Sequence, residues 1–168
     1  FDTRDLDALV LRYAFDDRCK LDLVPAELQR DRFVNSFSYW AIDKDARPIE
    51  LESGPHTLRW VPLDETSPYM QVAVLTTEDG LFYKHKGFNH SAIRQSLVAN
   101  LKAHKFVRGA STISMQLAKN LYLSRDKRLS RKLEEAILTL YLEQALTKDQ
   151  ILELYLNVVE FGPLVYGI

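Results

Sequence analysis

From Ser91 to Tyr155 apolar residues return every three or four positions in several separate runs, and this spacing confines the second half of the chain to helices. Ile93, Leu97 and Leu101 stand at i, i+4 and i+8, and Ile113, Leu117 and Leu121 repeat the pattern. A third run spans about Ser130 to Leu146. It carries Leu133, Ile137, Leu140 and Tyr141 on one side and Leu138 and Leu142 on the other, so it reads as a helix apolar nearly all round and therefore buried. Thr147-Lys148-Asp149-Gln150 has the Thr-x-x-Gln form of a capping box ahead of Ile151, Leu152 and Tyr155. Ser111 or Thr112 can cap the helix that begins near Ile113.

The first half is less uniform. Residues 5 to 40 have helix-like apolar spacing (Leu6, Leu9, Val10, Tyr13, then Leu28, Phe33, Phe37, Trp40) interrupted near Pro25, which predicts short helices. Ile49 and Leu51 before Ser53-Gly54-Pro55, with Leu58 and Trp60 after it, predict a β-hairpin over 49–61. Beyond Pro62 and Pro68 a helical apolar stretch, Met70 and Val72 to Leu75, leads directly into Glu78-Asp79-Gly80. At 168 residues, 46% hydrophobic and 27% charged, the chain can bury a core of its own. The expected architecture is mainly α: a small N-terminal α+β extension with a β-hairpin over 1–61, then a helical domain over 62–168.

Some chemistries are excluded early. Cys19 is the single cysteine, so no internal disulfide forms, and His56, His85, His90 and His104 are too scattered for a zinc site. No apolar run approaches the roughly 20 residues of a membrane-spanning helix, so any signal or anchor is expected upstream, and the sequence reads as a fragment trimmed at both ends.

A net charge of −1 conceals a lopsided distribution. Phe1 to Asp79 holds 9 basic and 16 acidic residues, a net −7, whereas Lys102 to Lys132 holds 9 basic and 1 acidic, a net +8. The cations Lys119, Lys127, Arg128, Arg131 and Lys132 need an anion or a set of carboxylates to offset their repulsion. Phosphate is the natural anion, because a helix opening after Gly109-Ala110-Ser111 adds backbone N–H donors and a positive dipole end. Nucleic acid is the weaker reading, since the rest of the chain is acidic and no nucleic-acid-binding module appears. Arg131 and Glu135 lie four residues apart on the Leu138/Leu142 side, where they must pair with each other or face a polar cleft. Phe82, Tyr83, Phe88, Phe106 and Val107, interleaved with Lys84, Lys86, Arg94, Lys102, Lys105 and Arg108, suit either a surface lying against anionic lipid or an ordinary solvated helix. Taken alone, Glu78-Asp79 reads as a solvated helix end rather than a catalytic pair, and His85 as a hydrogen-bonded structural histidine rather than a catalyst.

In order along the chain, these segments resemble the family-51 glycosyltransferases, the peptidoglycan transglycosylases, and most closely the monofunctional biosynthetic ones. Glu78-Asp79-Gly80-Leu81-Phe82-Tyr83-Lys84-His85-Lys86-Gly87 is similar to a first motif, Glu-Asp-x-x-Phe-x-x-His-x-Gly, with Asn89 where an aspartate is usual. Gly109-Ala110-Ser111-Thr112-Ile113-Ser114-Met115-Gln116-Leu117-Ala118-Lys119-Asn120 resembles a second, with Ala110 for glycine and Met115 for glutamine. Arg131-Lys132-Leu133-Glu134-Glu135 matches a third, Arg-Lys-x-x-Glu. Lys148-Asp149-Gln150-Ile151-Leu152-Glu153-Leu154-Tyr155-Leu156-Asn157 matches a fourth, and Asn157 to Gly162 begins a fifth. The resemblance covers about Pro62 to Ile168.

The resemblance implies a lysozyme-like, two-lobed helical domain with a small hydrophobic jaw, within Tyr83 to Val107, that dips into the membrane. It implies polymerisation of lipid II on the growing lipid-linked glycan at the outer, periplasmic or extracytoplasmic side of the bacterial inner membrane. A transpeptidase or another cell-wall synthesis protein is a compatible partner. The acceptor 4-hydroxyl attacks the anomeric carbon, polyprenyl pyrophosphate leaves, and an α linkage becomes β-1,4. By motif position, Glu78 matches the general base. Glu135 matches a second glutamate that organises the pyrophosphate side, with or without a divalent cation (Mg or Mn). Lys119, Arg131 and Lys132 match contacts to the leaving group, and Lys127 stands where arginine is common. Asp79, Phe82, His85, Ser111, Thr112, Gln116 and Asn120 complete the implied substrate site. Desolvation by the apolar helix before Glu78 is expected to make it a better base. The rivals are a lysozyme-like muramidase or lytic enzyme, which has no use for a cationic pyrophosphate site, and a catalytically weak lipid II-binding scaffold, suggested by Met115 and Asn89.

Overall fold

The computed structural model describes residues 29–42, 45, 47–105, 107, 109–123 and 129–168, without the side chains of 42, 129 and 130. The short helices expected over 5–28, Cys19, Phe106, Arg108 and the candidate site residue Lys127 lie outside the described residues. After a single 3-10 turn, Arg30–Phe33, come β1 (Phe37–Ile42) and β2 (Pro48–Ser53), then α1 (Pro68–Glu78), α2 (His90–Ala103), α3 (Ile113–Tyr122), α4 (Leu129–Ala145) and α5 (Lys148–Val158). A short irregular pair, β3 (Glu160–Gly162) and β4 (Val165–Tyr166), follows. The described residues are mainly helical with an N-terminal antiparallel hairpin, as the sequence implies, and the arrangement is consistent with a lysozyme-like fold.

The hairpin sits one strand earlier than the alternation at 49–61 predicts. β1 pairs with β2 in the register Phe37↔Ser53, Tyr39↔Leu51 and Ala41↔Ile49. Phe37 and Trp40, expected in a helix, are therefore strand residues. Phe37, Tyr39 and Ala41 point inward while Ser38 and Trp40 point out, the period of two that a half-buried strand requires. Beyond Ser53 the backbone cannot continue as a strand. Gly54 takes φ +123°, with a would-be Cβ only 2.4 Å from the Asn35 carbonyl oxygen. Two tight turns follow, Thr57 N–H to Gly54 O and Trp60 N–H to Thr57 O.

The starts of α1, α2, α3 and α5 each have a local cause. Pro68 occupies the first turn of α1, where its missing N–H costs nothing. Asn89 caps α2 by accepting from Ala92 N–H at 2.9 Å, a task for which asparagine and aspartate are equivalent, so the departure from the family aspartate leaves this cap intact. Thr112 caps α3 through Met115 N–H, and Thr147 with Gln150 closes the expected capping box on α5. α3 is the buried centre: Ile113, Leu117, Ala118 and Leu121 are enclosed as the helix packs against α4, α5 and β1. Met115 is buried beside them.

α4 departs from the all-round burial expected of it. Leu138, Tyr141 and Leu142 face the core, but Leu133 is 66% exposed and Leu140 is also exposed. With one buried stripe and one open one, α4 is an ordinary surface helix that carries two apolar residues into solvent. Asn157 of α5 ties the chain ahead of α1 to the core by accepting from Val61 N–H at 2.8 Å and donating to Val61 O at 2.9 Å. Glu153, one turn earlier, accepts from Leu63 N–H at 2.8 Å.

Candidate active site

Glu78 ends α1 and Asp79 follows as its C-cap, and the two carboxylates part company at once. The Glu78 side chain is exposed, so the apolar helix before it does not desolvate it as expected; α1 buries Val74 alone and leaves its last turn open. Asp79 turns inward, its side chain 1% exposed. It takes His85 Nε2 at 3.0 and 2.9 Å on its two oxygens and the first backbone N–H of α3, Ile113, at 3.3 Å. An anion at a helix N-terminus meets both the free N–H groups and the positive dipole end. Asp79 thus pins the end of α1, the following 82–85 turn and the start of α3 to one another. Phe82, fully buried in that turn, stacks edge-on to His85 at 6.4 Å and carries Lys148 Nζ over its ring at 4.3 Å. Thr112 Oγ1 donates to Gly87 O at 2.6 Å, closing the same frame.

Exposed Glu78 has one partner among the described residues. Gln116, one turn into α3, donates Nε2–H to Glu78 Oε2 at 2.8 Å. Its other amide atom, Oε1, accepts from the Tyr155 hydroxyl of α5 at 3.2 Å, while Asn120 Nδ2 donates to the Gln116 backbone oxygen at 2.8 Å. Burial first, and the Glu78 charge second, push the Tyr155 phenol well up, so it stays a proton donor.

The cationic side is built on α4. Arg131 and Glu135, predicted to pair or face a cleft, pair at 3.3 Å, and Lys132 Nζ holds the other Glu135 oxygen. Glu135 is buried, and Lys132 also donates to Ser111 Oγ at 3.2 Å, joining α4 to the turn before α3. Lys119 is exposed on α3 and has no ion pair among the described residues. Both Glu135 oxygens are taken by cations, and no group of three or more His, Cys, Asp or Glu side chains among the described residues could hold a metal ion.

The structure therefore brings the predicted residues together in three groups. Glu78, Gln116 and Asn120 form one, Asp79, Phe82, His85 and Thr112 a second, and Ser111, Arg131, Lys132 and Glu135 a third. Asp79, Phe82 and Thr112 are buried, and their contacts hold the frame behind Glu78. Sequence reasoning gave Tyr155 no role, nor the buried cluster in which Glu143 accepts from Ser114 and from Lys148 at 2.7 Å. Their only sequence signal was their place within or near the quoted motifs.

A family model described as Transglycosylase matches residues 47–168. The biosynthetic peptidoglycan transglycosylase of Nitrosospira multiformis is 49% identical over 109 residues, 65% of this chain and 47% of that protein. Its counterpart in Nitrosomonas eutropha is 50% identical over 110 residues, 66% of this chain and 45% of that protein. Penicillin-binding protein 2D of Bacillus subtilis is 47% identical over 109 residues, 65% of this chain but 16% of that protein. The chain spans about half the length of the first two.

Proposed function

The chain belongs to the transglycosylase family, and from that membership we infer that it forms the catalytic part of a peptidoglycan glycosyltransferase that polymerises lipid II into β-1,4 glycan strands. The observation that carries this reading is Glu78, a carboxylate open to solvent yet steered by Gln116 and backed by the buried Asp79–His85 pair. In the proposed reaction Glu78 removes the proton of the acceptor 4-hydroxyl as that oxygen attacks the anomeric carbon from the face opposite the leaving group. The C–O bond to polyprenyl pyrophosphate breaks, with inversion, and the negative charge developing on the pyrophosphate is met by Lys119, Arg131 and Lys132. Glu135 holds the last two in place.

Among the described residues no helix is long and apolar enough to cross a membrane. α2 nevertheless exposes Ile93, Leu97, Val98 and Leu101 beside the exposed Lys84, Lys86, Arg94, Lys102 and Lys105. This mixture supports docking on the extracytoplasmic face of an anionic bilayer, where a lipid-linked substrate is presented.

The test is polymerisation of purified lipid II by the full-length protein, read on gels. Replacing Glu78 by glutamine keeps its shape and removes proton acceptance, so the rate should fall by on the order of 10² to 10⁴ while substrate binding survives. Polymerisation within a few-fold of the parent would remove Glu78 as the base. Binding without polymer from the parent would support the scaffold reading, and reducing ends released from finished peptidoglycan would support a muramidase.

A further inference from the structure

We propose that Tyr155 is a positioning residue for this reaction, its hydroxyl locking the Gln116 amide in the orientation that holds Glu78. The proposal rests on Glu78 being the general base.

A glutamine amide has a donor end and an acceptor end, and a half-turn exchanges them at almost no change in shape. Glu78 can only accept, so the grip on it exists in just one of the two orientations. Glu78 selects that orientation, and the hydroxyl at the far end, able to donate or accept, completes it by donating and anchors the amide there. Tyr155 hydroxyl donates to Gln116 Oε1 at 3.2 Å, leaving Nε2–H for Glu78 Oε2 at 2.8 Å. In the flipped amide two oxygens would face each other across the Glu78 contact with no proton between them. Tyr155 itself has little freedom: it is 2% exposed, and its ring meets Phe161 edge-on, centroids 5.9 Å apart. The Asn120 bond to the Gln116 backbone oxygen fixes the other end of that residue. With Oε2 held, Glu78 Oε1 is the oxygen left to receive the acceptor proton. A buried aromatic of the core thereby sets the direction of an exposed carboxylate two hydrogen bonds away.

The experiment measures kcat and KM for lipid II polymerisation by the full-length protein and its Tyr155→Phe, Gln116→Met, doubly substituted and Glu78→Gln variants. Tyr155→Phe deletes one oxygen and keeps the ring packing, and its kinetics are read well below its melting temperature. Its kcat should fall on the order of tenfold to a hundredfold, because a misdirected base is a geometric fault, with KM within about twofold. The double variant should be no slower than Gln116→Met, since Tyr155 acts only through Gln116. An unchanged kcat for Tyr155→Phe overturns the proposal. So does a fully active Gln116→Met, or losses that multiply in the double variant, which a merely structural tyrosine would give. If Tyr155→Phe is fully active while Glu78→Gln is dead, the locking role falls and the proposed function stands. If Glu78→Gln is active, both fall.

Discussion

Glu78 and Asp79 carry the same chemical group and differ in what surrounds it. The exposed one faces solvent and makes one hydrogen bond among the described residues, to Gln116. The buried one is bound on both oxygens, and its charge is tied up holding three segments together. Removing Asp79 leaves two buried groups, the His85 ring nitrogen and the Ile113 N–H, without their acceptor, which at about 1–3 kcal/mol each comes to about 3 kcal/mol. Asp79→Ala should therefore lower the Tm by roughly 6–12 °C at this chain length, measurable by calorimetry, whereas Glu78→Gln should leave the Tm nearly unchanged. The motif pair could be found in the sequence, but the division of labour could not. Alternation of burial at a helix end depends on where the chain turns next, and that turn is set by Phe82 seeking the core.

Among the elements, the hairpin shows where sequence spacing misleads. Phe33, Phe37 and Trp40 stand at intervals of four and three, which a helix would use, yet Phe37, Tyr39 and Ala41 are spaced by two and won. Spacing is ambiguous over so few residues, and the partner strand decided it. The capping box of α5 was legible because all its atoms lie within four residues. The Tyr155–Gln116 bond spans 39 residues and has no local signature. Tyr39 on the inner face of β1 makes the hairpin sensitive to alkali. Burial, and then the neighbouring Tyr166, raise its phenol from 10.0 to about 12. A folded pKa raised above the unfolded one gives stability that is whole below pH 10 and drains away as the pH climbs toward 12. Urea melts across that window should show a stability loss that Tyr39→Phe makes shallower.

Over the whole molecule the charge asymmetry of the sequence takes on a specific form. Arg131 and Lys132 both bind the carboxylate of Glu135, and Lys119 stands exposed on α3. Binding of lipid II should weaken steadily between low and high salt, because exposed charges are screened over about 10 Å at 0.1 M salt. An affinity that ignores salt in a titration would count against the pyrophosphate site. The bridge from Val61 to Asn157 adds a consequence for assembly. It closes a ring between residues 96 positions apart, and its closing member stands two places from Tyr155 on α5. Seating that one helix therefore completes the ring and delivers the phenol behind Gln116 in a single event. A nascent chain gains no steered Glu78 carboxylate until it has emerged beyond Asn157, and a molecule that loosens α5 loses its grip on Glu78 together with its closure.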